Sequence, residues 1–238
     1  MHLGRKIGAS LTRPLALAAT LACACAAALV SPPEAAALEP CGNKAGYAYA
    51  GFQSAHRGHG VRATLVSLGS PKVRNGHVAA WVGVGGQGQG PNGSNQWLQV
   101  GLNAFNGTGT NLYYEVTTGG AAPRYHEIAA DVSPAKRHRV AVLEMAKRPN
   151  WWRVWVNGKA VSRPIHMPGS SGRFQPIATA ETWNGGSRVC NGFSYRFDGL
   201  AVAAGRGGNW QRFVQAHRFQ DRGYRVTSSA SSFVAAIS

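Results

Sequence analysis

Gln96–Phe105 reads QWLQVGLNAF. Leu98, Val100 and Leu102 recur at every second position, with Trp97, Gln99 and Gly101 between them. A period of two is the strand period, because successive side chains point to opposite faces of a sheet. The spacing predicts a strand over Trp97–Leu102 whose apolar set packs between two sheets. Val78–Val84 follows the same rule: Val78, Ala80, Val82 and Val84 go inward, leaving Trp81 and Gly83 on the opposite side. Together the two stretches place Trp81, Trp97 and Gln99 on one concave face floored by glycines.

Working outward, the pattern repeats. Further strands are expected at Val61–Leu68, Leu112–Val116, His138–Met145, Trp151–Val156, Ile177–Trp183 and Phe193–Ala203. Asn157-Gly158 after WWRVWV marks a tight hairpin turn, since both central residues of such a turn adopt positive φ, and it leads into Lys159–Arg163. The sequence holds 31 glycines, and long stripes of helical period are missing. Many short strands between turn signals predict an all-β fold, an antiparallel two-sheet β-sandwich or barrel. The tail from Gly205 is rich in Gly and Arg, then mixed. Its composition fits either a last strand packed on the body or an extension.

The N-terminal stretch has a different character. Arg5, Lys6 and Arg13 precede a run of small apolar residues from Pro14 to Val30, and Ala35-Ala36-Ala37 offers a cleavage site. This is the form of a secretory signal peptide. The expected organisation is therefore a signal peptide over 1–37, a sandwich domain over 38–204 and a C-terminal extension over 205–238, in a secreted, extracellular protein. Cys23 and Cys25 would leave with the signal, so Cys41 and Cys190 remain. In an oxidising compartment an even pair is most simply a disulfide. By the chain-entropy argument, a loop this long is worth ~4–5 kcal/mol.

The chain carries 25 Lys and Arg against 9 Asp and Glu, a formal charge of +16. Without residues 1–37 the balance is 22 against 8. Such a protein attracts polyanions, an anionic cell-wall polymer among them. The charge is spread along the chain, and no nucleic-acid-binding motif is present.

Few carboxylates remain for acid–base work: Glu39, Glu115, Glu127, Asp131, Glu144, Glu181, Asp198 and Asp221. Glu181 stands out, because it occupies the predicted strand PIATAETW, flanked by Ala180 and Thr182. Parity there is ambiguous: Glu181 shares a face with Ile177, Thr179 and Trp183. A glutamate in that position can take a proton from an attacking water. Gln99 has an amide that does not titrate, suited to orienting the water and donating to a developing oxyanion. A Ser/His/Asp site lacks a nucleophile elbow, and His56 with His59 reads as a wet loop or strand edge.

AWVGVGG (Ala80–Gly86), LQVGLNAF (Leu98–Phe105), YYEV (Tyr113–Val116), TAETW (Thr179–Trp183) and FSYRFDGLAVA (Phe193–Ala203) occur in that order. In order and character they resemble the strands of the glutamic peptidases (eqolisins), and the likeness runs from about Ala45 to Ala203. It implies a lectin-like (concanavalin-type, jelly-roll) sandwich with an aqueous cleft. It also implies peptide-bond hydrolysis by a Gln99–Glu181 dyad without metal or organic cofactor. Trp81, Trp97 and Glu115 would line the polypeptide-binding cleft. Fungal members of the family are acidic whereas this chain is basic, and Val84 and Asn103 replace acidic residues often seen in two of these strands.

Two other expectations follow from the same residues. A non-catalytic secreted module on this sandwich would bind carbohydrate or an anionic cell-wall polymer through exposed aromatics and cations. A glycosidase would need two carboxylates across the cleft, for which Glu115 and Glu181 are the available pair. The organisation is expected to be monomeric, with no specific nucleic-acid partner and no membrane association after signal removal.

Overall fold

A computed structural model describes residues 46–183, 191–221 and 223–237. The stretch expected to be a signal peptide (1–37), Cys41 and Cys190 lie outside the described residues. Among the described residues, seventeen strands follow in chain order. The first nine are β1 (Tyr47–Ser54), β2 (Gly60–Ser67), β3 (Lys72–Val73), β4 (His77–Gly86), β5 (Gln96–Phe105), β6 (Asn111–Thr117), β7 (Arg124–Ala129), β8 (His138–Glu144) and β9 (Trp151–Val156). The rest are β10 (Lys159–Ala160), β11 (Ile165–His166), β12 (Ile177–Trp183), β13 (Asn191–Gly205), β14 (Gly208–Arg212), β15 (Gln215–Gln220), β16 (Arg225–Ser228) and β17 (Phe233–Ile237). The fold is an all-β sandwich of two antiparallel sheets.

One sheet runs β15-β1-β12-β4-β5-β6-β7. The other runs β10-β9-β8-β2-β13-β17-β16, with β11 on β9 and both β3 and β14 on β13. The alternation read from the sequence decides which faces meet. Val78, Ala80, Val82 and Val84 of β4, with Leu98, Val100 and Leu102 of β5, are buried against Val61, Ala63 and Leu65 of β2 and Val140 and Val142 of β8. Each such aliphatic side chain contributes roughly 1.5–3 kcal/mol on leaving water. Trp152 is wholly buried and keeps its indole N–H satisfied by Ser170 Oγ at 2.7 Å.

Asn157 and Gly158 take φ of 49° and 84°, as the hairpin signal requires. The strand after that turn is shorter than Lys159–Arg163 and ends at Ala160. There the Ser162 hydroxyl accepts the Val154 N–H at 2.9 Å, so a side chain replaces the next ladder carbonyl. Among the described residues of the body, four strands lie outside the sequence-based set: β1, β3, β7 and β11. The tail forms four strands: β14, β16 and β17 join the second sheet, and β15 pairs with β1 in the first. Phe233 stacks on Phe197 at 4.2 Å and meets Phe52 edge-on at 5.2 Å. Tyr224 hydrogen-bonds through its hydroxyl to Thr182, fastening the tail to the core side of β12.

Candidate active site

Thr182 faces the core, so its neighbour Glu181 must face away from it. Ala178 and Ala180 are in the core as well. The parity left open in Ile177–Trp183 is thereby decided: Ile177, Thr179, Glu181 and Trp183 point to the concave side. Across the sheet, register continues the face. Thr179, Trp81, Gly101 and Tyr113 form one row through β12, β4, β5 and β6. Glu181, Ala79 and Asn103 form a second row, and Ile177, Gly83, Gln99 and Glu115 a third. These side chains surround a cleft of about 860 Å³. Gly83 and Gly101 leave its floor without side chains between the larger groups.

Gln99 and Glu181 both line this cleft, only 8% and 5% exposed, and neither points into the core between the sheets. They are not on neighbouring strands. β4 lies between β12 and β5, so their backbones are about 10 Å apart across the sheet. Their rows are also offset by four residues along it. Among the described residues no hydrogen bond joins them. Gln99 Nε2 donates to the Tyr113 hydroxyl at 3.3 Å. Glu181 Oε1 sits 3.4 Å from His77 Nε2 at the other end of the cleft. A water and a reacting carbonyl would therefore have to bridge the pair.

The other expected lining residues are also present. Trp81 is almost covered, packed with Ala79 and Tyr113 against Tyr49 and Ile177. Trp97 donates its indole N–H to Glu115 Oε1 at 2.9 Å. Burial raises the Glu115 carboxyl above its ordinary value; the Trp97 hydrogen bond opposes this and the Glu181 charge reinforces it. Burial, then the charges of Glu181 and Glu115, holds the Tyr113 phenol well above its usual range. Tyr113 thus stays a neutral hydroxyl, able to accept from Gln99 and still donate a proton into the cleft.

Sequence reasoning missed several groups. His77 lies four residues before Trp81 on the same strand, so the parity that found Trp81 also marks His77. Tyr49 was invisible because β1 was not resolved as a strand. Asp221 reads as a surface residue of the tail, yet it reaches the cleft rim: its Oδ2 accepts the Tyr49 N–H at 2.6 Å, and its own N–H donates to the Tyr49 carbonyl at 2.9 Å. Nothing local in the sequence places residue 221 beside residue 49. His59 lies at the edge of β2, immediately before Gly60, and its Nδ1 pairs at 2.6 Å with Glu144, whose carboxylate is fully buried.

Comparison with solved structures decides the fold family. One crystal structure of scytalido-glutamic peptidase, in complex with a peptide-based transition state analog, aligns at a TM-score of 0.54 and 15% identity. The alignment covers 81% of this chain and 98% of that one. The fold is that of the glutamic peptidases. A second eqolisin, SCP-B in complex with the tripeptide Ala-Ile-His, aligns at a TM-score of 0.50 and 16% identity over the same shares of each chain. No family model and no curated protein matches the sequence. The likeness to glutamic peptidases is therefore carried by the backbone.

Proposed function

We propose that this protein is a secreted endopeptidase of the glutamic type. Glu181 is the general base: it takes a proton from water as the water oxygen bonds to the scissile carbonyl carbon. Gln99 orients that water and donates its amide N–H to the oxyanion. The proton then passes from Glu181 to the departing amine as the carbon–nitrogen bond breaks. The rows of the two residues are offset by four positions, so the reading requires a scissile carbonyl seated between them, within reach of both side chains. Trp81, Trp97 and Glu115 would hold the peptide. No metal or organic cofactor enters this chemistry. Export by the N-terminal signal and a Cys41–Cys190 disulfide belong to the same proposal.

The observation that carries the reading is the placement of Gln99 and Glu181 on one cleft face of a fold shared with peptidases. The test is cleavage of a denatured protein from pH 2 to 7 by the mature domain and its Glu181→Gln variant. Cleavage that survives chelators and disappears in the variant supports the proposal. Equal inactivity of both proteins across the range would reject it in favour of a binding module on the same sandwich.

A further inference from the structure

The cleft occupies one sheet. The outward face of the other has a different chemistry, set by the same parity. Val61, Ala63 and Leu65 of β2, Val140 and Val142 of β8, and Trp152, Val154 and Val156 of β9 are buried in the core. Arg62, Arg139, Arg153 and Trp155 therefore stand on the outside. Register lines up Trp155, Ala141, Arg62, Ala201 and Arg212 across five strands from β9 to β14. Large side chains alternate with alanines in that row, so the arginines stand clear of their neighbours. One strand step over, Arg139 lies beside Thr64, and Arg196 of β13 beside Val66.

Carboxylates are almost missing from this face. Glu115, Glu181 and Asp221 line the cleft on the opposite sheet, and Glu144 is buried with His59. Glu127 lies on β7 of the cleft sheet, and Asp131 follows that strand. Asp198 is the remaining one among the described residues, and it pairs with Arg137 at 3.2 Å. Arg62, Arg139, Arg153, Arg196 and Arg212 have no carboxylate partner among the described residues. Their mutual repulsion is felt: burial first, then the charge of Arg139, lowers the Arg62 pKa. A concavity of about 300 Å³ opens within the patch, lined by Thr64, Arg137, Arg139 and Asn157.

Two guanidinium groups on this face are held over aromatic rings. Arg62 lies 4.6 Å over the Trp210 ring, and Arg148 lies 3.9 Å over Trp151 at the edge of the same face. Stacking by the guanidinium plane leaves its N–H edge available to a planar anion, which arginine grips with two parallel hydrogen bonds. We infer that this outer face, centred on Arg62, Arg139 and Arg153, is a second binding site, for an acidic polysaccharide bearing carboxylate or sulfate groups. Single-stranded nucleic acid is disfavoured because binding grooves for it offer free aromatic faces for base stacking. Here Trp210 is capped by Arg62, and Trp151 by Arg148 and by His166 at 4.8 Å, which leaves Trp155 as a single uncapped ring of β9 rather than a run of stacking platforms. A membrane surface is disfavoured because the large exposed apolar residues, Tyr47, Leu68, Tyr125 and Val214, lie off these strands. The inference holds whether or not the cleft cleaves peptides.

Binding of the mature protein to polygalacturonate and to heparin, measured across salt concentrations at neutral pH, tests it. The variant is Arg62→Gln/Arg139→Gln/Arg153→Gln. A control with equal charge loss, Arg57→Gln/Arg74→Gln/Arg124→Gln, changes exposed arginines on none of these strands. The face variant should bind on the order of 30-fold more weakly, with a log-affinity against log-salt slope shallower by about 2. The control should stay within about threefold of the parent. Should the triple variant unfold, the single charge reversal Arg139→Glu at an exposed position reads the same site. Equal losses in face and control variants would overturn the inference. So would tighter binding to single-stranded DNA or to anionic vesicles than to either polysaccharide.

Discussion

Gly101 offers a direct test of how closely the floor of the cleft is built. It sits on β5 opposite Trp81 of β4, in the row between those of Glu181 and Gln99. A Cβ placed on Gly101 would lie 2.0 Å from the Ala80 carbonyl oxygen and 2.7 Å from the Trp81 Cα. An ordinary C···O contact is roughly 3.3 Å, so Gly101→Ala forces β4 and β5 apart by about 1.3 Å. A ladder hydrogen bond stretched that far is lost, and the overpacking should cost ~2–3 kcal/mol. For a domain of this size that lowers the melting temperature by about 5–10 °C. The displacement falls between Glu181 and Gln99, the proposed catalytic groups, where a 1 Å error costs about 100-fold in rate. Calorimetry and peptide cleavage would be measured against Gly69→Ala, whose added Cβ meets nothing within 4 Å. Equal melting temperatures for the two variants would refute the claim that the approach of β4 to β5 requires glycine.

If Gln99 stabilises the oxyanion, Gln99→Leu should lower kcat about 100- to 1,000-fold with little change in KM; a larger effect on KM than on kcat would assign it to ground-state binding. Glu115 has a raised folded pKa, so the native state holds its proton to higher pH than the unfolded chain does. Its stabilising contribution is complete below the unfolded pKa and lost as pH rises through the folded value. Glu115→Gln should therefore gain melting temperature relative to the parent between pH 4 and 7, and a constant difference across that range contradicts this. His59→Ala strands the buried Glu144 carboxylate, leaving it the Asn150 N–H at 2.6 Å. The expected loss is ~3 kcal/mol, or about 6–12 °C, checked by thermal unfolding at pH 7.

Strand positions in the body and the inward faces of β4 and β5 were legible in the sequence, because period-two alternation is a local property. Gln99, Trp81 and Trp97 could be placed on the cleft face for that reason alone. Glu181 could not, since Ala178, Ala180 and Thr182 make its parity mixed. In the structure Ala178, Ala180 and Thr182 take the core side, where Tyr224 from the tail bonds Thr182. The tail itself carried a partial signal: Phe233, Ala235 and Ile237 alternate as a buried set. The strand pairing that uses them cannot be read from them.

By itself, then, the sequence determined the two-sided strands, the turns and the identity of the polar residues that interrupt them. Strand order was decided only in the tertiary structure. It inserted β4 between the strands of Gln99 and Glu181, brought Asp221 to Tyr49, and gathered arginines from five strands onto one outer face. The physical reason is that side-chain direction follows from backbone geometry one residue at a time. Which strands become neighbours depends on loop closure and on burying both apolar faces together, and contacts between residues tens to hundreds of positions apart leave no periodic trace in either segment.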